Sequence, residues 1–80
     1  MQDDLRGSRY YVGIKQSTEA VENGQASKAL VAEDADAHVI EPFLSLCREN
    51  LVPVEYFETK QQLGKACGIN VGAACAVILR

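Results

Sequence analysis

The stretch AACAVIL, residues 73–79, is apolar over the whole length of a typical β-strand. A second run, KALVA at residues 28–32, is apolar after its lysine. Strands without polar alternation are typical of a sheet that helices cover on both faces. These two runs therefore predict a sheet buried between two layers of helix.

The segments around these runs alternate between strand and helix patterns. Two further short strands are predicted at residues 10–12 and 53–57, and helices at residues 15–23, 40–50 and 60–66. Alternating strands and helices favour an α/β fold. We expect a single compact three-layer α/β/α sandwich around a mixed sheet of about four strands.

Individual residues predict where the helices begin and end. Gly24 stops the first helix, and Gly68 stops the third, because glycine adopts the left-handed C-cap conformation easily. Thr59 is a good N-cap for the third helix. Pro42 is unfavourable in a helix interior, so regular geometry in the second helix is expected to begin near Glu41.

Length and composition indicate one globular domain. The chain has 80 residues, of which 48% are hydrophobic and 24% charged. We assign residues 10–80 to the domain and expect residues 1–9 to form a short flexible N-terminal segment. No apolar run approaches the roughly 20 residues of a membrane span, and the polar start is no signal peptide. A cytoplasmic location is therefore expected.

Charge and cysteine content exclude several classes of function. The net charge of −3 argues against binding nucleic acid through diffuse positive charge, although a local basic site stays open. Cys47, Cys67 and Cys75 are odd in number and lack metal-ligand spacing, so we expect buried free thiols and no metal or cofactor. His38 is predicted to be an exposed turn residue. Without a nucleophile–base pair in the sequence, we do not expect an enzyme.

The start of the first predicted helix is not explained by core packing. Its first turn contains Gly13, Lys15 and Gln16, where a cation typically costs a few tenths to about 1 kcal/mol. Lys15 could contact a phosphate or a guanine edge, and Gln16 can both donate and accept hydrogen bonds. Alternatively, Lys15 lies on a solvated helix end and pairs with Glu19.

The loop GINVG, residues 68–72, has an unusual composition for a solvent-exposed connection. Ile69 and Val71 are branched apolar residues on either side of Asn70. They could fold back on the core, or they could form an apolar platform for an exposed base or a partner.

The predicted third helix carries two lysines, Lys60 and Lys65, near its two ends. Lysines on a surface helix often serve only solubility, and a binding role is the alternative. Gly64 lowers the helix propensity of this segment and indicates close packing or a close approach.

Three segments together strongly resemble one family. They are GIKQSTEAVENGQASKALVAEDAD, LCRENLVPVEYFETKQQLGKACG and INVGAACAVIL, which cover roughly residues 10–79. The ordered series G-x-K-Q, A-E-D-A-D and L-G-K-A-C-G resembles the kink-turn RNA-binding ribosomal proteins of the L7Ae and L30e type. The match is closest to the short bacterial ribosome-associated members.

The resemblance implies an α/β/α sandwich that recognises and stabilises a kink-turn. This RNA element is a duplex sharply bent at a short bulge, next to tandem sheared G·A pairs. Gly13, Lys15 and Gln16 would contact the guanine edges and the adjacent backbone. The implied protein is a non-catalytic monomer that binds ribosomal RNA or a structured messenger leader, has the ribosome as a possible partner, and does not bind membranes.

The resemblance also implies contacts at the bulge. Asp36 and Ile40 match the family's pocket for an extruded nucleotide, and Lys60 lies nearby for the RNA backbone. Asp36 has an alternative role as a helix cap, and Ile40 as a core residue. The loop at residues 69–71 matches the family's selectivity loop, and Lys65 is a further expected RNA contact.

Two departures from the family pattern affect the expected affinity. Many archaeal and eukaryotic members carry Asn-Glu where this chain has Lys15-Gln16, and Glu19 stands where the family often has Lys. We expect weaker binding or a narrower choice of RNAs, and do not predict Glu19 as a contact. The alternative function is a protein–protein interaction module on the same fold.

Overall fold

The computed structural model describes residues 9–80. The N-terminal segment predicted at residues 1–9 therefore lies outside the described residues, except for Arg9. Seven elements follow one another: β1 (Tyr10–Val12), α1 (Ile14–Glu22), β2 (Ala26–Ala32), α2 (Ala37–Glu49), β3 (Val54–Phe57), α3 (Lys60–Ala66) and β4 (Cys75–Leu79). None of the helices in this part of the chain is long and apolar enough to cross a membrane.

The four strands form one mixed sheet in the order β1-β4-β2-β3. β4 is antiparallel to both of its neighbours, and β2 and β3 are parallel. The two most apolar strands, β2 and β4, are therefore the central pair. Val77 of β4 lies between Tyr11 of β1 and Ala29 of β2. The backbone of Arg9 extends this sheet, since its carbonyl accepts a hydrogen bond from Leu79 N–H at 2.8 Å.

Each face of the sheet is covered by helix. Alternate residues of β2 point to opposite faces, so Val31 joins one core cluster and Leu30 the other. The first cluster contains residues of α1 and α2, and the second contains residues of α3. The largest fully buried side chains include Phe43 in the first cluster and Leu63 in the second. The predicted three-layer α/β/α sandwich is confirmed.

The second helix begins earlier than predicted. α2 starts at Ala37, and the carboxylate of Asp36 caps it by accepting a hydrogen bond from His38 N–H at 2.8 Å. The prediction that regular geometry begins near Glu41 was wrong. His38 is exposed as expected, but it lies in the first turn of this helix rather than in a connecting turn.

Pro42 lies inside α2 without ending it. Proline removes one backbone N–H, the one that would bond to the carbonyl of residue 38, and both positions are exposed. Ile40 and Phe43 bury their side chains against the sheet at helical spacing. This burial and the Asp36 cap hold the helix together across the proline.

Gly64 allows the loop before β4 to lie directly on α3. A Cβ atom at this position would be 2.1 Å from the carbonyl oxygen of Val71, a distance at which something must shift. A Cβ on Gly72 would be 3.0 Å from the Cβ of Lys60. The predicted close approach at Gly64 is confirmed, and it fixes the path of the loop.

The three cysteines are buried free thiols, as predicted. Burial raises the pKa of Cys47 to about 11 and the pKa of Cys75 to about 11, and it also raises the pKa of Cys67. The Ser17 hydroxyl lies against the Cys75 thiol and lowers its pKa in part. Within residues 9–80, however, this hydroxyl has no hydrogen-bond partner of regular geometry.

Stability is expected to fall at high pH because of these thiols. In the unfolded chain Cys47 and Cys75 lose protons near the ordinary pKa of 9.0, whereas the folded protein retains them until about pH 11. The native state binds more protons in this window, so the free energy of unfolding decreases as pH rises from about 9 to about 11. By about pH 11, each thiol has lowered the free energy of unfolding by on the order of 2 kcal/mol. Urea denaturation at several pH values should show a shallower decrease for Cys47→Ala; identical pH dependence in both proteins would contradict this assignment.

Substitution of Gly64 tests the contact between α3 and its loop. In an exposed helix, Gly→Ala stabilises by about 0.5–1 kcal/mol through helix propensity. Here Gly64→Ala should destabilise by about 1–3 kcal/mol, because the new methyl group overlaps the Val71 carbonyl. Chemical denaturation measures the difference. Lys65→Ala, on an exposed position of the same helix, is the control and should change stability by less than about 0.5 kcal/mol.

Candidate nucleic-acid interface

The strand order brings four connections to the same end of the sheet. The last residue of β1, Val12, pairs with Ala76 near the start of β4. Near the end of β2, Val31 pairs with Cys75, and parallel β3 ends beside it. We call the segments that meet here the converging end: residues 13–16, 33–36, 58–60 and 72–74. Five of the predicted RNA contacts lie in these segments: Gly13, Lys15, Gln16, Asp36 and Lys60.

Gly13 fixes the start of α1 beside the start of β4. Its N–H donates to the carbonyl of Cys75 at 2.9 Å. Its φ of 105° and ψ of 156° define a conformation that side-chain-bearing residues rarely adopt. Apart from Gly13 and its two chain neighbours, no atom of the described residues lies within 4 Å of a Cβ built at this position, so the space in front of Gly13 is open.

The first turn of α1 has an unusual charge arrangement. No side chain caps this helix, and its first turn has no acidic residue. Lys15 and Gln16 are both exposed there, next to backbone N–H groups that lack helical partners. Within the described part of the chain, Lys15 forms no ion pair with Glu19. The start of α1 therefore presents hydrogen-bond donors to an external acceptor.

The structural roles foreseen for Asp36 and Ile40 are both present. Asp36 caps α2, and Ile40 is 6% exposed within the core cluster beneath α1 and α2. Ile40 also lines a shallow groove of about 240 Å³ beside the exposed Tyr56. Their roles in nucleotide binding stay predictions.

Lys60 is held at the converging end by a contact that sequence reasoning missed. Its backbone N–H donates to the carboxylate of Asp34 at 2.8 Å, while its side chain is exposed. This bond joins the β2–α2 connection to the start of α3. Asp34 follows a buried strand, and an aspartate in such a position commonly accepts hydrogen bonds from turn backbone. That signal predicts a partner close in sequence, however, and not Lys60, which is 26 residues away.

The residues of the loop at 69–71 differ in role: one folds back on the core, and the others are exposed. Ile69 is half-buried and packs against the core cluster beneath α3. Val71 is 68% exposed, and Asn70 is exposed as well. Ile69 therefore folds back on the core, whereas Val71 is available as a platform.

A cleft of about 550 Å³ separates this loop from the outer side of α3. Its lining includes the predicted residues Lys65 and Asn70, together with two glutamines, Gln61 and Gln62, that sequence reasoning missed. Glutamines in a short exposed helix carry no pattern that would have identified them. The full lining is Thr59, Gln61, Gln62, Lys65, Ile69, Asn70, Val71 and Gly72.

Charge is unevenly distributed along the chain. Residues 59–80 contain Lys60, Lys65 and Arg80 and no carboxylate side chain, whereas residues 33–58 contain seven carboxylates and a single cation, Arg48. Lys28 is engaged elsewhere, in an ion pair with Glu55. No cluster of side chains within residues 9–80 could hold a metal ion. The surface of α3 and its loop is therefore the part best suited to a polyanion.

Known proteins with similar sequences are described as RNA-binding proteins. A model of the ribosomal protein L7Ae/L30e/S12e/Gadd45 family matches residues 2–80. The RNA-binding protein YbxF of Geobacillus stearothermophilus is 42% identical over 76 residues, which cover 95% of this chain and 93% of the relative. An RNA-binding protein of Geobacillus thermodenitrificans is 41% identical over 76 residues, with the same coverage of 95% and 93%.

Solved structures with the same fold include an RNA-binding protein. The Giardia lamblia 15.5kD RNA binding protein superposes with a TM-score of 0.83 at 26% identity, over 89% of this chain and 60% of that one. A protein with unknown function from Bacillus halodurans C gives a TM-score of 0.80 at 27% identity, over 89% of this chain and 71% of that one. These neighbours confirm the fold class.

Proposed function

Because the chain belongs to the ribosomal protein L7Ae/L30e/S12e/Gadd45 family, we propose that it is a non-catalytic RNA-binding protein that recognises and stabilises kink-turn RNA in association with the ribosome. The kink-turn is a duplex bent at a short bulge next to tandem sheared G·A pairs. Relatives that match this chain over nearly their full length are named RNA-binding proteins, which supports RNA as the partner.

The observation that carries this proposal is the uncapped start of α1. Lys15 donates well to guanine O6 and N7, and Gln16 can donate and accept at the same base edge. Gly13 leaves room for the RNA backbone, since the space in front of it is open. The cation that is unfavourable for the helix is thus favourable for reading guanine acceptors.

The remaining contacts lie around the bulge in this proposal. Lys60 neutralises the RNA backbone, Val71 packs against an exposed base, and Asp36 and Ile40 border the extruded nucleotide. The strand order brings Lys60 and Asp36 to the same converging end as the start of α1, and the loop at residues 69–71 leads to it along α3. One bent RNA can therefore reach all of them together.

Binding in this way stabilises the bend through linkage. A protein that binds only the kinked form shifts the RNA population by its differential affinity for that form. The net charge of −3 limits diffuse attraction, so selectivity rests on shape and base edges. We further propose a monomer in the cytoplasm, where the three free thiols stay reduced.

A protein-interaction module on the same fold is the second candidate. The acidic segment at residues 33–58, with seven carboxylates and one arginine, favours it. Comparison of kink-turn RNAs with G·A and with Watson–Crick pairs separates the two functions, because a protein-interaction module has no reason to distinguish these base pairs.

Replacing the tandem G·A pairs by Watson–Crick pairs should weaken binding to a kink-turn RNA severely. Watson–Crick pairing removes both the bend and the exposed guanine edges that Lys15 and Gln16 contact. Gel shift or fluorescence anisotropy measures both RNAs at the same salt concentration, since phosphate contacts depend on salt. Equal affinity for the two RNAs, or no binding to either, would contradict the proposal.

Lys15→Ala should separate RNA binding from stability. Its affinity for kink-turn RNA should fall by roughly 1–3 kcal/mol, because a base-reading contact is lost. Its thermal stability should stay unchanged or rise by a few tenths of a kcal/mol, because a cation leaves the positive end of a helix. Anisotropy and thermal denaturation give the two readouts.

Lys28→Ala is the matched control for this variant. Lys28 lies in β2 and is paired with Glu55 in an exposed ion pair, which is typically worth less than about 1 kcal/mol. RNA affinity should therefore be unchanged. A Lys15→Ala protein that is destabilised and still binds RNA normally would show that Lys15 is structural.

A further inference from the structure

The loop before β4 runs back along α3 toward the converging end. Ile69 N–H donates to the carbonyl of Gly64 at 3.0 Å, and Ala73 N–H donates to the carbonyl of Lys60 at 3.0 Å. The loop thus follows α3 from its last turn to its first residue. The lining of the cleft between them includes Thr59 and Gly72 of the converging end, where proposed RNA contacts lie.

The walls of this cleft are held in place by contacts that do not depend on a ligand. The loop carbonyl at Val71 lies directly on Gly64, and Gly72 lies against Lys60. The Tyr10 hydroxyl donates to the Cys67 carbonyl at 2.7 Å and ties the end of α3 to β1. A site with fixed walls loses little conformational freedom when it binds.

The chemistry of the lining suits a nucleotide. Gln61, Gln62 and Asn70 carry carboxamides, which both donate and accept as base edges require. Lys65 supplies a cation for a phosphate, and the exposed side of Val71 supplies an apolar surface for a base. Residues 59–80 contain no carboxylate side chain that would repel a phosphate.

The size of the cleft limits what it can hold. Its volume of about 550 Å³ falls within the usual range for small-ligand sites and leaves room for one nucleotide. An A-form duplex is too wide to enter it. A nucleotide that occupies the cleft is therefore an unpaired one.

We propose that this cleft holds one unpaired nucleotide of the bound RNA, with Gln61 and Gln62 contacting its base and Lys65 its phosphate. This inference rests on the proposed function and adds a second nucleotide site to the pocket around Asp36 and Ile40. The cleft borders the converging end at Thr59 and Gly72, so a strand that leaves the bend passes next to it. The site makes the protein sensitive to the bulge sequence as well as to the bend.

A double-mutant cycle tests the site. The protein change is the double variant Gln61→Ala with Gln62→Ala, which keeps the Thr59 cap because that cap binds the backbone N–H of residue 62. The RNA change is a series of kink-turn duplexes. In each of them a different unpaired bulge nucleotide lacks its base. Anisotropy measures every combination, and thermal denaturation checks that the variant folds as the parent does.

The variant should bind the intact RNA about 5-fold to 150-fold more weakly, the range expected for one base contact. At one bulge position, removal of the base should abolish most of the affinity difference between the double variant and the parent. The glutamines of the parent then have no base to contact, so replacing them costs little more. Gln25→Ala, at an exposed glutamine between α1 and β2, is the control and should bind all RNAs as the parent does.

Three results would overturn the inference in distinguishable ways. If the double variant binds intact RNA normally while Lys15→Ala still binds weakly, the cleft is empty and the proposed function stands. An equal loss on all RNAs, with no coupling to any bulge base, assigns the glutamines to the RNA backbone. If the parent does not distinguish G·A from Watson–Crick RNA, the proposed function itself fails.

Discussion

The position of β4 between β1 and β2 is the constraint on which the rest of the structure depends. The last strand of the chain is central in the sheet and antiparallel to both neighbours. Its start therefore lies among the ends of the other strands. Gly13 can bond to Cys75 only because of this arrangement, and the loop before β4 must pass alongside α3. A loss of β4 pairing would separate residues 13–16 and the loop before β4 from residues 33–36 and 58–60, which the direct pairing of β2 and β3 keeps together.

Features that are unfavourable for folding concentrate at the start of α1. Gly13 supplies no side-chain cap, Lys15 places a cation at the positive end of the helix, and Ser17 buries a hydroxyl without a regular partner in the described chain. Local rules are broken most often where function requires it. The stable central strands beneath, including Cys75, compensate for these features and hold the helix start in place.

The distribution of charge gives an acidic protein a surface for a polyanion. Four of the seven carboxylates at residues 33–58 lie in the converging end, namely Glu33, Asp34, Asp36 and Glu58, whereas α3, the loop before β4 and the C-terminal residue carry cations and no carboxylate side chain. An RNA at the start of α1 therefore passes these carboxylates, but it meets no carboxylate side chain on α3 or on the loop beside the cleft. Diffuse attraction contributes little under these conditions, so recognition depends on shape and hydrogen bonding.

The sequence by itself determined the strands, the Thr59 cap and the need for glycine at Gly64, because strand polarity, capping and close approach are properties of short segments. The tertiary structure alone decided that Asp34 holds the start of α3 and that Gln61 and Gln62 line a cleft. It also decided that α2 continues through Pro42. These features depend on which segments meet across the sheet. At these positions burial against distant residues outweighs local propensity. The spacing of residues along the chain does not indicate which distant segments will meet.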